Sequence, residues 1–182
     1  MVRLGSFRFS GAAVTSDKAA LTDEAQKDIL RRCWYSHDAR WFMAVAEEYG
    51  LEEANRLNRR ICRALGEVEM RRFAAALGIA PPKTVRALVE VMTRAMHFFA
   101  PAPLTRFELW AIDDWSYGAW MRHCFIHENV IRAGIASCYV CAAFDRIQGW
   151  HDALGLPLAE DPPAVPCAKA LGQECLRIMT VR

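Results

Sequence analysis

Apolar residues recur at helical spacing through the first half of the chain. Thr22 is a good helix N-cap, with Asp23 and Glu24 placed where negative charge suits the first turn. From there to a stop at Gly50, positions Leu30, Cys33, Trp34, Trp41, Phe42, Val45 and Tyr49 predict one buried stripe. His37 falls inside that stripe and Asp38 at its edge, and a buried imidazole or carboxylate requires a partner. A second helical pattern over residues 51–77 turns Leu57, Ile61, Leu65, Val68, Phe73 and Leu77 inward. Its other face mixes Glu52, Glu53, Arg56, Arg59, Arg60, Arg63, Glu67, Glu69, Arg71 and Arg72. Interleaved opposite charges read as a solvated, ion-paired face rather than a grip for phosphate. Gly66 stands inside this helix as a weak point. After Pro81-Pro82 a third helix runs to Phe99, with Val85, Leu88, Val89, Met92, Met96 and Phe99 inside and His97 suited to the C-terminal dipole.

Beyond Pro101 and Pro103 the pattern changes. Residues 107–112 and 117–121 read as two strands joined at Asp113-Asp114-Trp115-Ser116, a hairpin. A helix over 123–133 ends at Gly134, and another is predicted from Ser137 to Leu154. A proline-rich stretch over 155–167 follows, and the segment 174–181 reads as a strand that joins the hairpin. The fold class is therefore α+β: an N-terminal helical layer followed by a small antiparallel sheet with two inserted helices. One domain is expected over 21–182, with a helical part (21–100) and a sheet and pocket part (101–182), preceded by a flexible arm over 1–20.

Composition narrows the picture. With 182 residues, 53% of them hydrophobic, the chain can bury a real core without staples. A net charge of +2 argues for neither nucleic acid nor an anionic membrane surface as partner. No apolar run is long enough to suggest a signal peptide or a membrane span, and seven cysteines, an odd number, suit free thiols in a reducing cytoplasm.

Chemistry concentrates between His123 and Cys141. On a helix His123 and His127 lie one turn apart on one face, with Cys124 within reach, and Cys138 with Cys141 adds a C-x-x-C. That set suits one zinc or iron ion held by His123, Cys124, His127 and Cys138. The plainer account is that cysteines three apart pack as small core residues. Without a metal, Cys124 or Cys138 would serve as nucleophile. Asp38 and Asp145, with His37, form a second candidate set for acid–base work, against which stands a simple Asp145–arginine pairing. Trp41, Trp120 and Cys141 are candidates to line a pocket for a flat ligand.

The order Cys124, Gly134, Cys138, Asp145-Arg146, Gly149-Trp150 and Gly172-Gln173-Glu174-Cys175-Leu176-Arg177 resembles the aminothiazoline-carboxylate hydrolase-like proteins. The earlier Ser36-His37-Asp38-Ala39-Arg40-Trp41-Phe42, followed by Glu47-Glu48-Tyr49-Gly50, is similar to the opening helix of related bacterial families of unknown function. The resemblance implies a cysteine-containing pocket and hydrolytic ring opening of a small cyclic amidine or thiazoline carboxylate. Together these readings lead to a small cytoplasmic hydrolase acting on a C–N or C–S bond, with His37 or Asp38 moving protons. The alternative is a non-catalytic sensor or carrier for a small molecule or metal. Exposed aromatic residues allow a homodimer.

Overall fold

Asp23–Tyr49 (α1) and Leu51–Leu77 (α2) are two helices of equal length separated by a single residue. Gly50 makes that junction at φ 87, a backbone region that residues with a Cβ rarely enter. The computed structural model describes residues 20–182, so the arm expected over 1–20 falls, apart from residue 20, outside the described residues. Thr22 caps α1 as its sequence position implies, its hydroxyl accepting from the Ala25 amide at 3.2 Å. Val85–Phe99 (α3) follows, and its apolar face (Val85, Leu88, Met92, Met96) forms the centre of the core.

Thr105–Ala111 (β1) and Ser116–Cys124 (β2) form the expected hairpin, and Leu176–Thr180 (β3) adds to the far side of β2. All three strands are antiparallel in the order β1-β2-β3. Phe125–Arg132 (α4) and Ala143–Leu154 (α5) are inserted between β2 and β3. The protein is α+β.

The tightest helix contact joins α2 to α5. Gly66 faces the Arg146 carbonyl and Gly149 faces the Arg63 carbonyl, each so closely that a Cβ would collide with backbone. Gly66 is thus not a weak point. It is the place where a second helix lies against the first.

Three expectations are corrected here. No residue of α1 is fully buried: Leu30, Trp41 and Tyr49 of the predicted stripe are exposed, and so is His37. Trp34 and Phe42 of that stripe do face inward, joined by Tyr35, which the stripe left out, and they pack against Arg146, Phe125 and Tyr139. On α2, Glu69 is buried while Ile61, Val68 and Leu77 are exposed. Finally, α5 does not begin at Ser137. Asn55 of α2 donates to the Cys138 carbonyl at 2.7 Å and accepts from the Val140 amide at 2.9 Å, fixing the turn over 136–138 and the residues that leave it. Val140 also bridges to Pro166. A helix there would forfeit these bonds, so it starts at Ala143.

Candidate ligand-binding site

Behind α1 lies a cavity of about 200 Å³, lined by α1, α2, α3, α4, α5 and the end of β2. Its walls are mostly rings and alkyl chains: Trp34, Tyr35, Phe42, Leu65, Phe99, Val130 and Trp150 among them. These are the inward residues of five helices, brought together because each helix must bury its apolar side. The cavity reaches solvent beside Asp38 and Ala39 on α1 and Asn129 on α4, which line it while remaining exposed.

The polar groups inside are few, and most have partners. Arg146 pairs with Glu69 through two bonds of 2.7 and 2.6 Å, and the Trp150 indole N–H donates to the same carboxylate at 3.1 Å. The guanidinium lies among the rings of Trp34, Phe99 and Trp150, 5.4 to 5.9 Å from their centres. The Tyr35 hydroxyl donates to the Phe99 carbonyl at 2.7 Å, and burial raises its pKa. Cys62 contacts Asn58 Oδ1 at 3.5 Å, and burial, reinforced by the charge of Asp38, pushes its thiol up to about 12. Asp38 is different: among the described residues it makes no hydrogen bond or ion pair. Desolvation raises its carboxyl above the ordinary range, against the pull of Arg146 and His37.

A smaller cavity, about 60 Å³, lies on the other side of a wall formed by Met96, Met121, Cys124, Ile126, Ala143 and Ile147, which border both spaces. It is lined by Cys124, Cys141, Cys167 and Cys175, with His127 Nδ1 3.9 Å from the Cys167 sulfur. Burial pushes Cys141 up to about 12 and Cys175 to about 11, and raises Cys124 as well. Such thiols are protonated at neutral pH and are poor nucleophiles. All seven cysteines are free.

The structure scatters the residues singled out by sequence. His123 belongs to β2, not to a helix with His127, and its Nδ1 lies 3.5 Å from Glu128. Cys138 is exposed, with its thiol donating to the Ile135 carbonyl at 3.4 Å. Among the described residues no three histidine, cysteine, aspartate or glutamate side chains converge to hold a metal ion. The zinc or iron site at His123, Cys124, His127 and Cys138 is therefore corrected. The cause is that α4 starts two residues past His123, which breaks the shared helical face. Asp145 pairs with Arg59 at 2.9 Å, and Arg59 also donates to the Pro162 carbonyl, so this carboxylate pins α5 and the following loop to α2. Trp120 borders the smaller cavity and bonds to Glu174 at 2.9 Å, and Cys141 borders it too. Trp41 stands on the exposed side of α1, and His37 does not line the cavity.

Two residues of the site escaped sequence reasoning. Arg146 entered only within the resemblance and as an arginine that could pair with Asp145, and Glu69 only as part of a solvated face. Their signal was local: the Arg146 to Trp150 spacing puts a cation and an indole on one side of α5.

None of the helices among the described residues is long and apolar enough to cross a membrane. The model of a family of unknown function, DUF6125, matches residues 19–141, and the chain belongs to that family. No curated protein matches it in sequence. In fold it is similar to a trafficking protein particle complex subunit 3 from Naegleria fowleri, solved covalently bound to palmitic acid. The TM-score is 0.59 at 11% identity, over 88% of this chain and 97% of that one. That neighbour is a subunit of a trafficking complex and not a hydrolase, so the hydrolase expectation is corrected together with metal binding. None of these findings bears on the resemblance to the aminothiazoline-carboxylate hydrolase-like proteins.

Proposed function

We propose that this DUF6125 member is a non-catalytic binding protein for a small apolar molecule, held in the cavity behind α1. The observation that carries this reading is the cavity itself, about 200 Å³ of space walled by aromatic and aliphatic side chains. A dry apolar cavity of about 150 Å³ takes up a benzene molecule, so this volume suits one or two rings or a short alkyl chain. The solved fold neighbour carries an apolar acyl chain, which supports the same use of the architecture. The protonated state of the buried thiols and the bonded state of Arg146, Glu69 and Tyr35 favour holding a ligand over attacking one. Seven free thiols favour a reducing compartment such as the cytoplasm as its setting.

The test is thermal denaturation in the presence of naphthalene or 1-octanol. A ligand that binds the native state alone raises the midpoint in a concentration-dependent way. Ala39→Trp plugs the opening from an exposed position of α1, so this variant should keep its unliganded midpoint and lose the ligand-dependent rise. If neither compound shifts the wild-type midpoint, the reading fails.

A further inference from the structure

We infer that the ligand carries a cationic amine head, and that Asp38 is the residue that selects it. The inference rests on the cavity being a binding site and adds the chemistry of what binds there. Three observations on charge lead to it.

The cavity is lined by one guanidinium, Arg146, and one carboxylate, Asp38. Arg146 is occupied in two bonds to Glu69, so its charge is offset and its strongest donor directions are used. Asp38 is left as the negative group without a partner among the described residues. Three further polar groups of the wall are bonded, the Tyr35 hydroxyl to the Phe99 carbonyl, the Cys62 thiol to the Asn58 amide oxygen, and the Thr105 hydroxyl to the Ala100 carbonyl, while others, such as the Tyr139 hydroxyl and the Trp34 indole N–H, are neutral.

Position agrees with charge. Asp38 stands where the cavity meets solvent, so a ligand inserted body-first would leave its head beside this carboxylate. Trp34, Tyr35 and Phe42, near Asp38 on α1, also line the space, and the negative faces of aromatic rings favour a cation. A carboxylate head in the same place would meet Asp38 with like charge and find Arg146 already bonded to Glu69. The site thus prefers an ammonium group on a ring-sized apolar body and disfavours free acids.

The groups facing Asp38 are Arg146 from α5, Cys62 from α2 and its own neighbour His37. Of these only Arg146 carries a fixed positive charge, and Glu69 compensates it.

A matched series isolates the head: naphthalene, 2-naphthylmethylamine and 2-naphthoate, titrated by calorimetry into the wild-type protein and Asp38→Asn. One charge-assisted hydrogen bond at a partly desolvated site corresponds to about ten- to hundredfold in affinity. The amine is expected to bind the wild type tighter than naphthalene by that factor, and the naphthoate weaker than naphthalene. In Asp38→Asn, which keeps the side-chain size, the amine should fall to the level of naphthalene while naphthalene itself is unchanged. Naphthalene binding with no amine preference, or a preference that survives in Asp38→Asn, overturns the assignment of Asp38 and leaves the cavity reading intact. Failure of all three compounds to bind overturns the cavity reading and this inference with it.

Discussion

His151 has no exposed surface, yet it was absent from every pattern that the sequence offered. Its Nδ1 lies 2.8 Å from the Leu156 carbonyl, which can only accept, so that nitrogen carries the hydrogen. Nε2 is then free to accept from the Tyr117 hydroxyl at 2.7 Å. Burial depresses the imidazole pKa to about 4, and burial also raises the Tyr117 hydroxyl. The unfolded chain, with an ordinary histidine, binds the proton first as pH falls. Stability from this group is therefore complete above about pH 6.5 and is lost progressively as pH drops toward 4. The loss from this one residue is on the order of 3 kcal/mol across that window. Urea denaturation of the wild type at pH 7 and pH 4.5 should show the fall, and His151→Leu should flatten it. An unchanged slope in His151→Leu would place the acid sensitivity elsewhere. At this scale the sequence drew attention to His37, His123 and His127 because they had histidine or aspartate neighbours. His151 has an aspartate neighbour too, Asp152, but its hydroxyl partner Tyr117 lies 34 positions away.

Among the elements, helix and strand identity followed from local periodicity, and all eight predicted elements exist with shifted ends. Which side faces inward followed for α3 but only in part for α1 and α2. The stripe read on α1 placed Trp34 and Phe42 inward, but it also contained Leu30 and Trp41, which packing leaves exposed, and it omitted Tyr35, which packing turns inward. A helix with apolar residues around much of its circumference has several acceptable faces, and its neighbours choose among them. The glycines of α2 and α5 show the same dependence. In an isolated helix Gly→Ala is favourable by about 1 kcal/mol. In this fold Gly66→Ala or Gly149→Ala would drive a methyl into a backbone carbonyl of the facing helix. Each substitution is expected to destabilise by about 2 to 3 kcal/mol instead, as overpacking does when backbone must move. Chemical denaturation decides the sign, and a gain in stability in either variant would contradict the close approach described for these helices.

Across the whole molecule, the pair Glu69–Arg146 joins α2 to α5 at the back of the cavity that α1 covers. Both partners are largely withdrawn from water, with side-chain exposures of 5% and 17%. Removing one charge strands the other, which typically costs about 3 to 5 kcal/mol. Glu69→Gln should lower stability by that order and weaken naphthalene uptake, since the freed guanidinium makes the cavity wall polar. Denaturation with and without ligand measures both. Little change in either would mean that the pair lies outside the cavity's energetics.

The sequence alone determined the fold class, the helical first half, the hairpin and the strand that joins it. These depend on residue periodicity and on turn residues that act over a few positions, and they survive in any tertiary context that buries the apolar sides. It also placed Asp38 among the candidate site residues, there for proton transfer. The tertiary structure alone decided that His123 and His127 part company, that Cys124 and Cys141 gather with Cys167 and Cys175, and that Asp145 belongs to Arg59. It also decided that Arg146 is neutralised by Glu69 while Asp38 has no partner among the described residues. The physical reason is separation along the chain. Arg146 and Glu69 lie 77 positions apart, and Arg59 and Asp145 lie 86 apart. Only the packing of α2 on α5 selects these partners, because a charge enters a low-dielectric interior on condition that its counter-charge arrives with it.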